Sequence, residues 1–231
     1  VLVTAAVCPH PPLLVPEVAS GAAPELDDLR AACDEAVRRL AATGLDRLVV
    51  VGGDQVTRDH GIDAAGSLRP YGLDLTLGAG EPVLPLALTI GHWLLSRREP
   101  AAAVRPRFQG VAADAAPAEC LRLGRWLAES AERVGLLVMG DGTACRTQKA
   151  PGYLDVRAES YDAEVAQALG DADAASLARL DPRMSRELRV AGRAAWQVLA
   201  GAAGDGAFAA DLLAAEAPYG IGYLVASWRR C

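Results

Sequence analysis

Two rhythms of apolar and polar positions run along the chain. Val1 to Val7 is a short, nearly unbroken apolar run, the pattern of a strand buried on both faces. It ends in V-C-P-H-P-P-L-L-V-P-E, Val7 to Glu17. Proline fixes φ and cannot donate to a sheet ladder, so the strand must stop at this cluster. The period then becomes helical. Leu26, Leu29, Cys33, Val37 and Leu40 predict a helix over Pro24–Ala42, with Pro24 in its first turn and Gly44 closing it. Arg47 to Val51 (R-L-V-V-V) is a second continuous apolar strand, and the β-α-β opening implies a right-handed crossover between parallel strands.

Gly52-Gly53-Asp54-Gln55 follows that strand at once. Val56 to Tyr71 is polar, carries His60 and lacks a period, which predicts a loop and a candidate lid. Further on, strands are expected at Leu73–Leu77, Val104–Ala112 and Gly135–Met139, and helices at Leu84–Arg98 and Pro117–Val134. A long polar loop follows from Gly140 to Tyr153. Helices are expected at Ala158–Leu169, Ala174–Leu180 and Arg183–Ala200. Ala209–Ala215 fits either a strand or a helix, and Tyr219–Trp228 reads as the last strand. No linker, repeat or low-complexity tract divides the 231 residues. The expected fold is one α/β domain over residues 1–231, with three layers: a mostly parallel or mixed central sheet and helices on both faces. The alternation supports the class and leaves strand order open.

Composition adds limits. At 52% apolar residues the chain can bury a substantial core. The net charge of −6 argues against a nucleic-acid-binding surface, which would carry a basic face. No apolar run reaches the roughly 18 residues a membrane span needs, and no basic stretch marks a signal peptide. The five cysteines (Cys8, Cys33, Cys120, Cys145 and Cys231) include no C-x-x-C pair, which fits a reduced, cytoplasmic protein. A homo-oligomer stays open.

Phosphate-loop, dinucleotide, zinc-protease and serine-hydrolase signatures are missing. What remains is a set of polar groups expected at strand ends: His10, Asp54, Asp141 and Glu216. Ligands of open α/β sheets bind at that edge. His10 there suits a metal ligand or an acid/base, although one histidine in a proline-rich turn is more often a surface residue. His60 suits a loop group able to swing toward the edge, or a solvated one. Cys145 is a candidate nucleophile. Arg146 and Lys149 suit a substrate carboxylate or phosphate, or a solvated loop. Asp141 braces its loop or enters the site. His92, beside Trp93 on an apolar helix, reads as packing.

Three segments carry a resemblance. V-C-P-H-P-P-L-L-V-P-E resembles the opening of the LigB-type class III extradiol dioxygenase family, which includes Memo-like proteins. V-M-G-D-G-T-A-C-R-T-Q-K-A-P-G-Y resembles the family's G-D-x-S-H-R-x-T-x-x-A-P segment, with Tyr161-Asp162 matching its F/Y-D. E-A-P-Y-G-I-G-Y-L-V-A resembles its E-x-P-F/Y-G-x-G-Y end. The match spans nearly the whole chain in order and looks like an actinobacterial, alanine-rich branch.

The resemblance implies a non-haem Fe(II) oxidoreductase acting on a catechol-type aromatic. Two histidines and a carboxylate would hold the metal and leave positions for catechol and O₂. His10 matches the first metal histidine and Glu216 the carboxylate. Asp54 stands where the family has its second histidine, and Ala144 where it has the acid/base histidine. The implied set His10-Asp54-Glu216 is more anionic than the family's and is open to Fe(II), Zn(II), Mn(II), Mg(II) or no metal. His60 is the candidate to replace a missing histidine. Loss of the acid/base group removes help worth about 10²–10⁴ in rate. Two other readings follow: a non-catalytic binding or scaffold member of the same fold, and a small-anion hydrolase using Arg146 and Lys149.

Overall fold

The computed structural model describes residues 1–97 and 104–231. Its centre is a seven-stranded mixed sheet ordered β3-β6-β2-β7-β1-β9-β8. The strands are β1 (Leu2–Cys8), β2 (Arg47–Asp54), β3 (Arg58–Gly61), β6 (Arg107–Ala112), β7 (Val134–Met139), β8 (Phe208–Glu216) and β9 (Tyr223–Arg230). A two-stranded ribbon, β4 (Gly66–Ser67) with β5 (Thr76–Leu77), lies apart from it. β6, β2, β7 and β1 are parallel neighbours, while β9 and β3 run antiparallel to β1 and β6.

The apolar runs form strands because both faces are covered. Val49, Val51 and Val138 face a layer containing α4 (Pro117–Glu129), α5 (Ala158–Gly170) and α8 (Arg193–Ala203). Val50, Leu137 and Met139 face α2 (Asp27–Ala41) and α3 (Leu86–Ser96). Alternate residues of one strand thus enter two cores, so β2 reads as continuous apolar sequence. Among the described residues, no helix is long and apolar enough to cross a membrane.

Several boundaries differ from the sequence expectation. The predicted Pro24–Ala42 helix begins as a 3₁₀ segment over Ser20–Leu26 and becomes α-helical only at Asp27. Only Thr76–Leu77 of the Leu73–Leu77 segment is a strand. The helix expected to end at Val134 stops at Glu129, and Val134 opens β7. Arg98, the predicted end of the third helix, lies outside the described residues. The helix expected over Arg183–Ala200 is two helices, α7 (Pro182–Glu187) and α8. Arg189 takes a positive φ of 54° between them, and the Gly192 N–H donates to the Asp141 carbonyl at 2.8 Å. That break is a tertiary contact, invisible to local periodicity. Ala209–Ala215 resolves as strand, inside edge strand β8.

The largest difference is Val56–Tyr71. It is not a free lid. Arg58–Gly61 forms β3, paired with β6 at Arg58↔Gly110 and Asp59↔Gln109. The Gln109 side chain also donates to the Arg58 carbonyl at 2.9 Å.

Candidate functional site

The parallel strands end on one edge of the sheet. β8 runs in the direction of β1, because both are antiparallel to β9. Asp54 closes β2 and Glu216 closes β8, while His10 and Asp141 stand two residues beyond β1 and β7. The three family-like segments meet here.

Cys8 pairs with Met139, and the Cys8 carbonyl accepts the Gly140 N–H at 3.0 Å. That register sets His10 beside Asp141. The His10 backbone N–H donates to Asp141 Oδ1 at 2.7 Å, and its Nδ1 stands 3.5 Å from the same oxygen. His10 is only 9% exposed, and its buried Nδ1 has no hydrogen-bond partner. The prolines therefore produce a recessed histidine, not a solvated one. Burial, followed by the Asp141, Tyr219 and Glu216 charges, pushes the Tyr223 phenol far above its ordinary range. On the α8 side the Trp196 N–H is also buried without a partner, and Trp196 packs against Gly140 and Gly192.

The Gly140–Tyr153 loop interlocks with the segment before β9. Gly142 N–H donates to Gly222 O at 2.7 Å, Gly222 N–H to Thr143 O at 2.8 Å, and Arg146 N–H to Gly220 O at 3.0 Å. Asp162 lies beneath both strands of this crossing. Its carboxylate accepts Thr143 N–H and Thr143 Oγ1–H, each at 2.8 Å, and Arg146 Nη1 at 3.2 Å. Gly142 and Gly222 lie against that carboxylate, and a side chain at either would collide with it. Burial pushes the Asp162 pKa up, against the opposing pull of Thr143 and Arg146.

These contacts revise the loop candidates. The Arg146 guanidinium is held by Asp162 and, at 3.4 Å, by Glu159. It is not a free anion receptor. Lys149 is exposed on the same loop. The Cys145 thiol is 1% exposed, donates to Leu188 O at 3.4 Å, and has its pKa raised chiefly by burial. It lacks the accessible thiolate that a nucleophile needs. Glu216 borders a cavity of about 200 Å³ with Arg146 and Asp162, and burial together with Asp28 raises its pKa.

Asp54 turns the other way. Its Oδ2 lies 2.8 Å from His60 Nε2 and 3.2 Å from Arg58 Nε, and its Oδ1 accepts the Gln55 N–H at 2.7 Å. Both the Asp54 and His60 side chains are 3% exposed. Burial raises the Asp54 pKa, but the bonds from His60, Gln55 and Arg58 outweigh it and hold the carboxyl below its ordinary value. The carboxylate lies over Gly110 of β6, where a Cβ would stand 2.5 Å from Oδ2. His60 thus lies in β3 against Asp54, not beside His10.

The described residues do not fit the metal centre that the resemblance implies. β7 separates β2 from β1, and β9 separates β1 from β8. His10 is therefore about two strand spacings, roughly 10 Å, from the ends of β2 and β8, and only converging side chains could close that gap. His10 instead faces Asp141, Asp54 faces His60, and Glu216 borders the Arg146 cavity. Among the described residues, no group of three or more His, Cys, Asp or Glu side chains is placed to hold a metal ion. Asp162, Tyr223 and Trp196 were not singled out as site residues from sequence. The first two lie in segments that carry the resemblance, while Trp196 shows no signal beyond an apolar helix.

No family model matches the chain, and no curated protein matches it. Among solved structures it is similar to the crystal structure of uncharacterized protein JW3007 from Escherichia coli K12, with a TM-score of 0.56 and 14% identity. The match covers 98% of this chain and 99% of that one. At that identity the likeness bears on the fold alone.

Proposed function

We propose that this protein is a divergent LigB-type chain that binds a small phenol- or catechol-class molecule at the His10 edge without cleaving its ring. The observation that carries the reading is His10: a recessed ring with an unpartnered Nδ1, beside Asp141. A buried polar atom without a partner costs stability unless a ligand or water completes it. A phenolic hydroxyl can donate to a neutral imidazole nitrogen, and the Asp141 carboxylate can accept a second.

The resemblance implies Fe(II), which would bind catechol and O₂ together. The residues that would hold it do not fit, and Ala144 cannot transfer a proton. Both points favour the binding reading over ring cleavage. A reduced, cytoplasmic setting belongs to the same proposal, supported by five free cysteines.

The test is a panel of catechols and monophenols measured by calorimetry, with and without anaerobic Fe(II). Saturable binding that His10→Ala abolishes is expected, with no yellow ring-cleavage product. A yellow product from the iron-loaded protein would instead support the dioxygenase reading. No binding across the panel would remove the phenol reading altogether.

A further inference from the structure

We infer that Asp54 is a structural strut that pins β3 to the sheet, and that it is not a metal ligand even though it occupies the position of one. Three donors converge on its two oxygens: the Gln55 N–H, His60 Nε2 and Arg58 Nε, at 2.7, 2.8 and 3.2 Å. A carboxylate with three donors and 3% side-chain exposure has little capacity left for a metal ion. Its direction agrees. The group lies over Gly110, on the β6 side of β2, whereas His10 lies past β7 on the opposite side. Reaching His10 would mean abandoning His60 inside the fold. Gly110 is part of the same device, because any side chain there would displace the carboxylate.

The strut has a mechanical purpose. β3 is a four-residue edge strand whose pairing with β6 shifts register between Asp59 and Gly61. Such a strand has few ladder bonds of its own. The Asp54–His60 bond ties its far end to β2, the strand beyond β6. The Arg107–Asp59 pair and the Gln109–Arg58 bond tie it to β6 itself. The position that a metal centre would need instead anchors the neighbouring edge strand.

The strut is independent of phenol binding at His10, because Asp54 lies beyond β7 on the same sheet edge. Hydrogen–deuterium exchange of the full chain tests it on the peptide spanning residues 55–62. Asp54→Ala and His60→Ala should each speed exchange there tenfold or more. His60→Gln, which keeps a donor near the Nε2 position, should retain most of the protection. If Asp54→Ala does not fold, Asp54→Asn and His60→Ala carry the same readout.

A second arm titrates the chelator-stripped protein with Zn(II), and with Fe(II) under anaerobic conditions. Asp54→Asn should leave the isotherm as it is in the parent chain, whether or not an ion binds. Unchanged exchange in both alanine variants would overturn the strut. One ion per chain, weakened tenfold or more by Asp54→Asn, would overturn the statement that Asp54 is no ligand.

Discussion

Two histidine–aspartate pairs share one sheet edge and behave oppositely. In Asp54–His60 the ring nitrogen and carboxylate oxygen are 2.8 Å apart, and a neighbouring arginine and backbone amide complete the carboxylate. In His10–Asp141 the nearest ring approach is 3.5 Å, and the bond that forms uses the His10 backbone, not its ring. Both pairs are largely buried, at 3% side-chain exposure in the first and 11% and 14% in the second, and hydrogen-bond completion separates them further. A finished buried network adds rigidity, while an unfinished one leaves capacity for a ligand at the expense of stability.

The largest test removes the support beneath only one pair. Asp162→Ala would strip the acceptor from Thr143 and Arg146 and loosen the crossing beside His10. A loss of about 3 kcal/mol is expected in urea unfolding, because it leaves the buried Thr143 donors unmatched and Arg146 with only the exposed Glu159 as partner. Exchange in β3 should be unaffected.

The pairs themselves come next. His60→Ala leaves the buried Asp54 carboxylate short of one donor and should cost about 1–3 kcal/mol. His10→Ala removes a ring that makes no hydrogen bond, while its backbone bond to Asp141 survives, so about 1 kcal/mol or less is expected. Equal losses in the two variants would erase the difference between the two pairs.

Carboxylate titration followed by NMR sharpens it further. Asp54 should titrate below its ordinary value of 3.8 and Asp162 above it. The linkage signs are opposite. The Asp54 contribution is full above 3.8 and is lost as pH falls through its lower folded value. Asp162 folds more favourably as the neutral acid. Its contribution is therefore present below 3.8 and lost as pH rises through its raised folded value.

The smallest effect is at His92, away from the edge. Its Nδ1 is also buried without a partner, its ring lies 5.0 Å from Phe108, and burial lowers its pKa below 6.5. The unfolded chain therefore takes up a proton first as pH falls, and stability drops below about 6.5. His92→Leu should flatten that limb and change stability at neutral pH by about 1 kcal/mol or less. Here an orphan nitrogen sits in an apolar helix contact with no acidic partner, which separates it from His10.

Much of the fold was legible in the sequence, and less of the site. The R-L-V-V-V and G-L-L-V-M runs became buried parallel strands because a strand covered on both faces must be apolar at every position. The proline cluster ended β1 where proline chemistry requires. Those rules act over a few residues, so a single chain displays them directly. β3 escaped notice because Arg58–Gly61 is polar; its pairing comes from β6, about fifty residues on in sequence.

His10 and Asp141 were recognised as edge residues, but their partnership depends on the β1–β7 register. The sequence offers Asp54 as a ligand and His60 as a swinging base. Six residues apart, they could not reveal that a turn and an antiparallel strand would lock them together over Gly110. The sequence by itself determined the α/β class, the buried strands and which polar groups stand at strand ends. Only the tertiary structure decided which of those groups meet, because strand order and side-chain direction arise from contacts between segments that local periodicity does not connect.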